Sequence, residues 1–248
     1  MLLPLRDYNP TRRLAWVTII IIAANLAIFA YQAYFSPQPL AYHILKSAMV
    51  PREIVHMRNV AIPLDESHHF PRDIPPPLSL LTSLFMHGSL LHLLGNMLFL
   101  WIFGNNIEDH LGRWRYGLFY LATGVGASLI HVLFHPSSLI PVIGASGAVS
   151  GVMGAYLILF PRARIKTLLF LFIIVTTVDL PAAVFLIVWF VYQFLLAGNA
   201  SGIAWLAHVG GFTLGMILVR RKRPRLTEAA TLAVSQGETD EPYSANVH

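Results

Sequence analysis

The chain has 248 residues, of which 56% are hydrophobic and 12% charged, and its mean hydropathy is +0.62. This composition is typical of a helical membrane protein and argues against a soluble domain. The net charge of +5 comes from short basic clusters between apolar runs, which excludes a single basic face for nucleic acid, and the lack of cysteine excludes disulfides and thiol catalysis.

Long apolar runs predict the architecture, because roughly 20 helical residues cross a bilayer core of about 30 Å. Six stretches approach that length: 15–34, 78–103, 116–134, 145–160, 180–197 and 203–219. We therefore predict an all-α membrane protein, a bundle of six transmembrane helices spanning residues 15–219. Residues 35–77 would form a long loop on the outer side of the membrane.

The distribution of Lys and Arg predicts the orientation of the bundle. Most basic residues fall before the first span, after the second, after the fourth and after the sixth, which all lie on one side. Because basic loops stay in the cytoplasm, both termini are expected there. Residues 1–14 would be a cytoplasmic segment, and residues 220–248 a basic and then disordered cytoplasmic tail.

A short apolar run at 167–178 does not fit the count of six, because it is too short to cross. We expect it to lie in the inner interface or to pack on the bundle. Asp179 then precedes Leu180 and Pro181, a pattern typical of a helix cap followed by an early proline, and it is interpreted as the cap of the fifth helix.

Polar side chains inside the predicted spans are informative, because hydrocarbon makes each of them costly. The second span carries His87, His92 and Asn96, the fourth begins near Ser146, and the sixth carries His208. Counting at about 1.5 Å per residue from the inner boundaries places the last four in the middle to outer part of the membrane. Three helices thus bring polar groups to one depth.

Small residues predict which helix faces meet. Ser146 lies beside Gly147 and Gly151, and His208 is followed by Gly211 and Gly215 on its own face. Glycines at such spacing let two helix backbones approach closely. The fourth and sixth spans can therefore pack with the serine hydroxyl near the imidazole.

This combination indicates hydrolysis by a Ser–His dyad. A neutral imidazole at His208 can take the proton of Ser146, and donors must stabilise the oxyanion that forms on the attacked carbonyl. The Ser146 N–H lies at a helix start, and His92 and Asn96 can add side-chain donors. No acid is placed to complete a triad, since the acids after the second span belong to an inner loop.

Other interpretations of the same residues remain open at this point. A serine in a small-residue stripe can simply pack, and a membrane histidine or asparagine can hydrogen-bond a neighbouring helix. Metal hydrolysis lacks a His-Glu-x-x-His pattern and a nearby carboxylate. A small transporter would need a charged pair, and only Asp179 is available.

The motifs together are similar to those of a known family. They are His-Gly-Ser-Leu-Leu-His at 87–92 with Asn96, Gly-Ala-Ser-Gly at 144–147, His208 with Gly211 and Gly215, and the run from Gly104 to Arg113. In this order they resemble the rhomboid family of intramembrane serine proteases. The resemblance implies a rhomboid-type bundle of six helices that cleaves membrane proteins within or beside their transmembrane segments.

The resemblance also implies roles for individual residues. Ser146 would be the nucleophile and His208 the general base, while His92, Asn96 and the Ser146 N–H would form the oxyanion hole. His87 corresponds to a family histidine with an access or structural role. Some members carry an aromatic residue four positions after the nucleophile to support the base, and Ser150 occupies that position here.

We accordingly expect a serine endopeptidase without cofactor or metal, acting on single-span membrane proteins in the lipid bilayer. Nucleic acid is not an expected partner. The expected location is a bacterial cytoplasmic membrane. The alternative is a catalytically inactive rhomboid-like protein that binds transmembrane helices without cutting them.

Overall fold

The computed structural model describes residues 2–63, 69–171, 174–196 and 204–219. Its helices are α1 (Trp16–Ala30), α2 (Leu40–Ser47), α3 (Pro51–His56), α4 (Pro76–Thr82), α5 (Leu90–Leu111), α6 (Arg113–Phe134), α7 (Ser146–Leu159), α8 (Ala182–Leu196) and α9 (Trp205–Leu218). Its strands are β1 (Leu2–Asp7), β2 (Ile62–Pro63), β3 (His69–Phe70), β4 (Arg164–Leu171) and β5 (Ile174–Pro181). The predicted tail 220–248 lies outside the described residues.

Membrane-spanning helices dominate the fold. Three described helices are long and apolar enough to cross a bilayer, namely Trp16–Phe35, α5 and α6. The first of them combines α1 with a π-helical turn at Tyr31–Phe35. The helices α7, α8 and α9 are apolar but shorter. A mostly helical membrane protein is therefore confirmed, and the count of six spans stays a prediction.

The predicted second span is wrong as a single helix from 78 to 103. α4 ends in a 3-10 turn at Ser83–Phe85, and α5 begins only at Leu90. The reason is a local cap: the Ser89 side chain accepts a hydrogen bond from the His92 N–H at 3.2 Å, which starts a new helix. Hydropathy does not register such a cap, so His87 lies in the connection and not within a helix.

A β-sheet makes the all-α prediction wrong in one part of the molecule. The run predicted to lie on the bundle forms a hairpin, in which Arg164 pairs with Pro181 and Leu171 with Ile174. β1 adds to it antiparallel, so the strand order is β1-β4-β5. Ile, Val and Thr are frequent in the hairpin and favour extended backbone. Their partner strand begins the chain, far away in sequence.

Asp179 is consequently not a helix cap, which corrects the sequence interpretation. It lies in β5, where its carboxylate accepts a hydrogen bond from the Tyr8 hydroxyl at 3.2 Å. α8 begins three residues later at Ala182, directly after Pro181. An acid shortly before a proline is also compatible with a strand. Here the backbone around Asp179 pairs with β4 and so cannot begin a helix.

α7 occupies the centre of the bundle and packs closely against α9. Every residue of α7 from Gly147 to Tyr156 is buried. A Cβ atom added to Gly215 would collide with the carbonyl oxygen of Gly151, and one added to Gly211 would collide with that of Gly147. Backbone contact between the two helices therefore depends on these glycines, as their spacing predicts.

A polar cluster, the Asp7 cluster of half-buried Asp7 with buried Asn106 and Tyr156, joins β1 to α5 and α7. One carboxylate oxygen of Asp7 accepts hydrogen bonds from the Asn106 amide at 2.6 Å and from the Tyr156 hydroxyl at 2.8 Å. Burial raises the pKa of the Asp7 carboxyl above its ordinary value, and the two hydrogen bonds partly offset this effect. The cluster fixes the N-terminal strand on the helices.

Glu108 of α5 fixes the start of α1 in a similar way. Its carboxylate oxygens accept hydrogen bonds from the backbone N–H groups of Val17 and Thr18, at 3.0 and 2.8 Å, and from the Thr18 hydroxyl at 2.9 Å. The first N–H groups of a helix lack partners within the helix, and an acid is favourable there. Glu108 is thus a structural carboxylate distant from the serine.

Candidate active site

Ser146 and His208 lie in direct contact. The Ser146 hydroxyl oxygen is 2.8 Å from Nε2 of His208. Ser146 is the first residue of α7, and His208 lies in the first turn of α9. The glycine contacts between these helices bring the two side chains together, although 62 positions separate them in the chain.

The backbone before Ser146 is shaped by Gly144. Its φ of +113° lies in a region that residues with side chains rarely adopt. A Cβ atom at this position would also lie 2.9 Å from two ring atoms of His92. The turn is held by the Gly144 N–H, which donates to the Ser83 carbonyl at 2.9 Å. Glycine here lets the chain enter α7 while His92 stays close to the serine.

A cavity of about 800 Å³ opens beside the pair. Ser146, His208, His92 and Asn96 all line it. The Asn96 amide donates to the His92 carbonyl of its own helix at 3.0 Å. The structure thus places both predicted oxyanion donors on the wall next to the serine, and their role in binding an oxyanion stays a prediction.

His87 packs behind this wall. It is fully buried, and its ring meets that of His92 edge-on, with the centroids 5.1 Å apart. Within the described part of the chain, neither ring nitrogen of His87 has a hydrogen-bond partner. The contact fits a residue that fixes the His92 ring, and the predicted access or structural role of His87 stays a prediction.

Two residues of α8 that sequence reasoning missed support His208. Nδ1 of His208 is 2.8 Å from the side-chain oxygen of Gln193. The ring of Trp189 lies 6.2 Å from the imidazole, at an angle of 36°. A usable signal existed in the sequence, because Trp189 and Gln193 are four residues apart on one face and Gln193 is an amide in an otherwise apolar helix.

Ser150 does not take part in holding the imidazole. Its hydroxyl donates to the Ser146 carbonyl at 2.6 Å, one turn back along α7. Some rhomboid-family members have an aromatic ring at this position, whereas in this chain the ring next to His208 is that of Trp189, on another helix. The aromatic contact with the imidazole therefore comes from α8 and not from α7.

Two further histidines line the cavity. His131 and His135 of the α6 end stack with centroids 4.7 Å apart and lie on the cavity wall. Over the described ranges, no three His, Asp or Glu side chains are arranged to hold a metal ion. The chemistry available at this site is that of a hydroxyl, imidazoles and amides.

Comparisons with known proteins identify a family domain in the chain. The sequence model of the Rhomboid domain matches residues 77–224. The chain is 31% identical over 171 residues to "Rhomboid protein 1, mitochondrial" of Saccharomyces cerevisiae, covering 62% of this chain and 46% of that protein. It is 37% identical over 139 residues to "RHOMBOID-like protein 4" of Arabidopsis thaliana, covering 56% and 32%.

A third relative matches over a longer part of the chain. "Rhomboid-related protein 2" of Mus musculus is 27% identical over 210 residues, which cover 80% of this chain and 61% of that protein. The chain spans about half or less of the length of the yeast and plant relatives. The matched family region contains α5, α7, α8 and α9, and with them the whole of the serine site.

Proposed function

The chain belongs to the rhomboid family, and we propose that it is a serine endopeptidase that cleaves membrane proteins within or beside their transmembrane segments. The observation that carries this proposal is the 2.8 Å contact between the Ser146 hydroxyl and Nε2 of His208 on the wall of a cavity. A hydroxyl paired with a basic imidazole is the arrangement that nucleophilic catalysis requires.

The proposed reaction proceeds in two halves. Nε2 of His208 takes the proton of Ser146 while the serine oxygen attacks a peptide carbonyl, and the developing oxyanion is met by the Ser146 N–H, His92 and Asn96. His208 then gives the proton to the leaving amine, which departs and leaves an acyl-serine. A water molecule, deprotonated by His208, releases the acid and restores the serine.

We further propose six spans, with both termini on the cytoplasmic side. The sheet supports this topology, since β1 of segment 1–14 pairs with β4 after α7 and therefore lies at the end of α7 opposite Ser146. Arg6, Arg164 and Lys166 occupy this sheet, as expected for a cytoplasmic face. The serine then lies towards the outer side, with the loop 35–77 above it.

The membrane in which the protein resides is a separate question. The protein is membrane-spanning, and its matched relatives come from yeast, a plant and mouse. A bacterial cytoplasmic membrane, expected from the sequence, therefore stays a prediction without support from these relatives. Single-span membrane proteins are the proposed substrates.

Activity-based labelling tests the proposal directly. The full chain in proteoliposomes should react with a fluorophosphonate and cleave a single-span reporter, and Ser146→Ala should abolish both. Ser128→Ala, a buried serine of α6 away from the cavity, is the matched control and should retain both activities.

Two outcomes would overturn the proposal. Labelling that persists in Ser146→Ala would place the nucleophile elsewhere. A wild-type chain that binds the reporter helix with neither labelling nor cleavage would favour the inactive helix-binding protein.

Substrate choice should follow from helix stability. A helical segment hides its carbonyls in hydrogen bonds, so attack requires local unwinding. We propose a preference for small or helix-breaking residues near the outer end of the substrate span. A reporter panel in which Gly or Pro is added or removed at that end would measure it, and equal cleavage rates throughout the panel would contradict it.

A further inference from the structure

We propose that Gln193 is a positioning residue for His208: its side-chain oxygen accepts a hydrogen bond from the Nδ1–H group and so fixes the tautomer in which Nε2 can take the proton of Ser146. This inference rests on the proposed function for its catalytic meaning. The observations behind it are independent of that function, because they concern the hydrogen bonds of one imidazole ring.

The orientation of the Gln193 amide follows from its two contacts. Its nitrogen donates to the carbonyl oxygen of Trp189, one turn back along α8, at 3.0 Å. Its oxygen therefore faces Nδ1 of His208 at 2.8 Å. The flipped amide would set its oxygen against the Trp189 carbonyl oxygen, two acceptors without a proton between them, so the hydrogen-bond network selects one orientation.

The amide orientation determines the tautomer of the imidazole. An amide oxygen only accepts, so Nδ1 must carry the single N–H of the neutral ring. Nε2 then presents its lone pair to the Ser146 hydroxyl at 2.8 Å. This is the tautomer that a general base needs, and it is the task of the acidic third member in a Ser–His–Asp triad.

The burial of Gln193 favours the arrangement in which both ends of its amide are hydrogen-bonded. Gln193 is only 2% exposed, and a buried amide without partners is unfavourable. An uncharged amide orients the ring without bringing a carboxylate into the bundle. Trp189 covers one side of the ring from the same face of α8, so this helix supplies both the contact and the acceptor.

Two substitutions separate positioning from packing. Gln193→Met keeps the length and apolar volume of the side chain but removes the acceptor, and kcat for the reporter should fall about 10- to 100-fold with KM nearly unchanged. Gln193→Glu keeps an acceptor and should restore much of kcat. Tyr192→Phe, an exposed neighbour on α8, should behave as wild type.

The pH profile supplies a readout that a packing role would not move. A carboxylate at position 193 stabilises the imidazolium, so the acid limb of kcat should shift to higher pH in Gln193→Glu. His92 of α5, and His131 and His135 at the end of α6, line the same cavity as His208, and they are unchanged in this variant. A Glu variant as slow as the Met variant, with an unmoved acid limb, would overturn the proposal.

The tautomer itself can be measured without any activity. In protein with ¹⁵N-labelled histidine, the His208 signals, assigned through His208→Asn, should report protonated Nδ1 in the wild type and a shift towards protonated Nε2 in Gln193→Met. A wild-type ring protonated at Nε2 would overturn the proposal even in an active enzyme. Absent cleavage together with protonated Nδ1 would instead defeat the protease function and leave the positioning role of Gln193 standing.

Discussion

Two partly buried hydrogen-bonded clusters of polar side chains can be compared in this molecule, and they differ in what they face. The Asp7 cluster joins a carboxylate, an amide and a phenol, while the serine site joins a hydroxyl, an imidazole and the Gln193 amide. α7 contributes to both, with Ser146 at its start and Tyr156 about 15 Å further along.

The two clusters differ in where their hydrogen bonds end and in which group lies beside a cavity. The hydrogen bonds of the Asp7 cluster converge on one oxygen and tie three elements together. In the serine site the chain of hydrogen bonds ends on the Ser146 hydroxyl, which lines a cavity of about 800 Å³. A polar cluster whose hydrogen bonds converge on one oxygen therefore stabilises the fold. A polar cluster whose hydrogen bonds end at a cavity leaves one side chain, here Ser146, accessible to another molecule.

The largest contrast is expected from removing the two reactive groups. His208→Ala and Ser146→Ala should each lower kcat/KM by at least about 10³-fold, and the double variant should lose little more, because the pair acts as a unit. In the other region, Tyr156→Phe should cost about 1 kcal/mol of stability and leave activity within tenfold. Reporter kinetics and thermal unfolding in one detergent would measure both, and activity surviving in His208→Ala would break the comparison.

The contact between α7 and α9 should matter nearly as much. Gly215→Ala places a methyl group against the Gly151 carbonyl and forces the helices apart, costing about 1–3 kcal/mol. Since a shift of about 1 Å at the dyad can cost 10²-fold in rate, kcat should fall by about that factor. Gly117→Ala, where the new methyl group meets only Val17 at 3.7 Å, is the control. Equal Tm values and equal rates for both variants would contradict the packing argument.

The oxyanion donors provide a narrower test. Asn96→Ala should lower kcat about 10²-fold with a small change in stability, because the amide acts only when the oxyanion forms. Asn25→Ala is a matched control, since that buried amide also donates to a carbonyl one turn back, at 2.8 Å, but lies on α1. If the two variants lost the same activity, the Asn96 amide would be structural.

The smallest effect concerns Asp7 and should be visible only in stability. Because burial raises its pKa in the folded state, its favourable contribution is present below the ordinary value of 3.8 and is lost as the pH rises through the folded pKa. Asp7→Asn removes this titration and should match or exceed wild-type Tm at pH 7, with a relative Tm that declines towards pH 4. Reporter cleavage should stay within twofold. A Tm deficit that grows with rising pH would reverse the sign.

Much of the candidate site could be predicted from local sequence patterns. Hydropathy predicts α7 and α9 as membrane helices, and the spacing of Gly211 and Gly215 indicates the face on which they meet. Ser146 and His208 follow as a pair from those two facts, and His92 and Asn96 from their shared face of α5. Membership in the rhomboid family, which these motifs indicate together, is confirmed.

Other features depended on contacts that no local pattern encodes. Gln193 marks one face of the apolar helix α8, but its partner, Nδ1 of His208 on another helix, is decided by how the helices pack. The sheet needed β1 to pair with a strand more than 150 residues away. The sequence by itself therefore determined that the chain is a mostly helical membrane protein and which faces of α7 and α9 touch, because apolar runs and small-residue spacing are local properties. Only the tertiary structure decided the strand pairing and the residue that contacts Nδ1 of His208, because both are choices among distant partners.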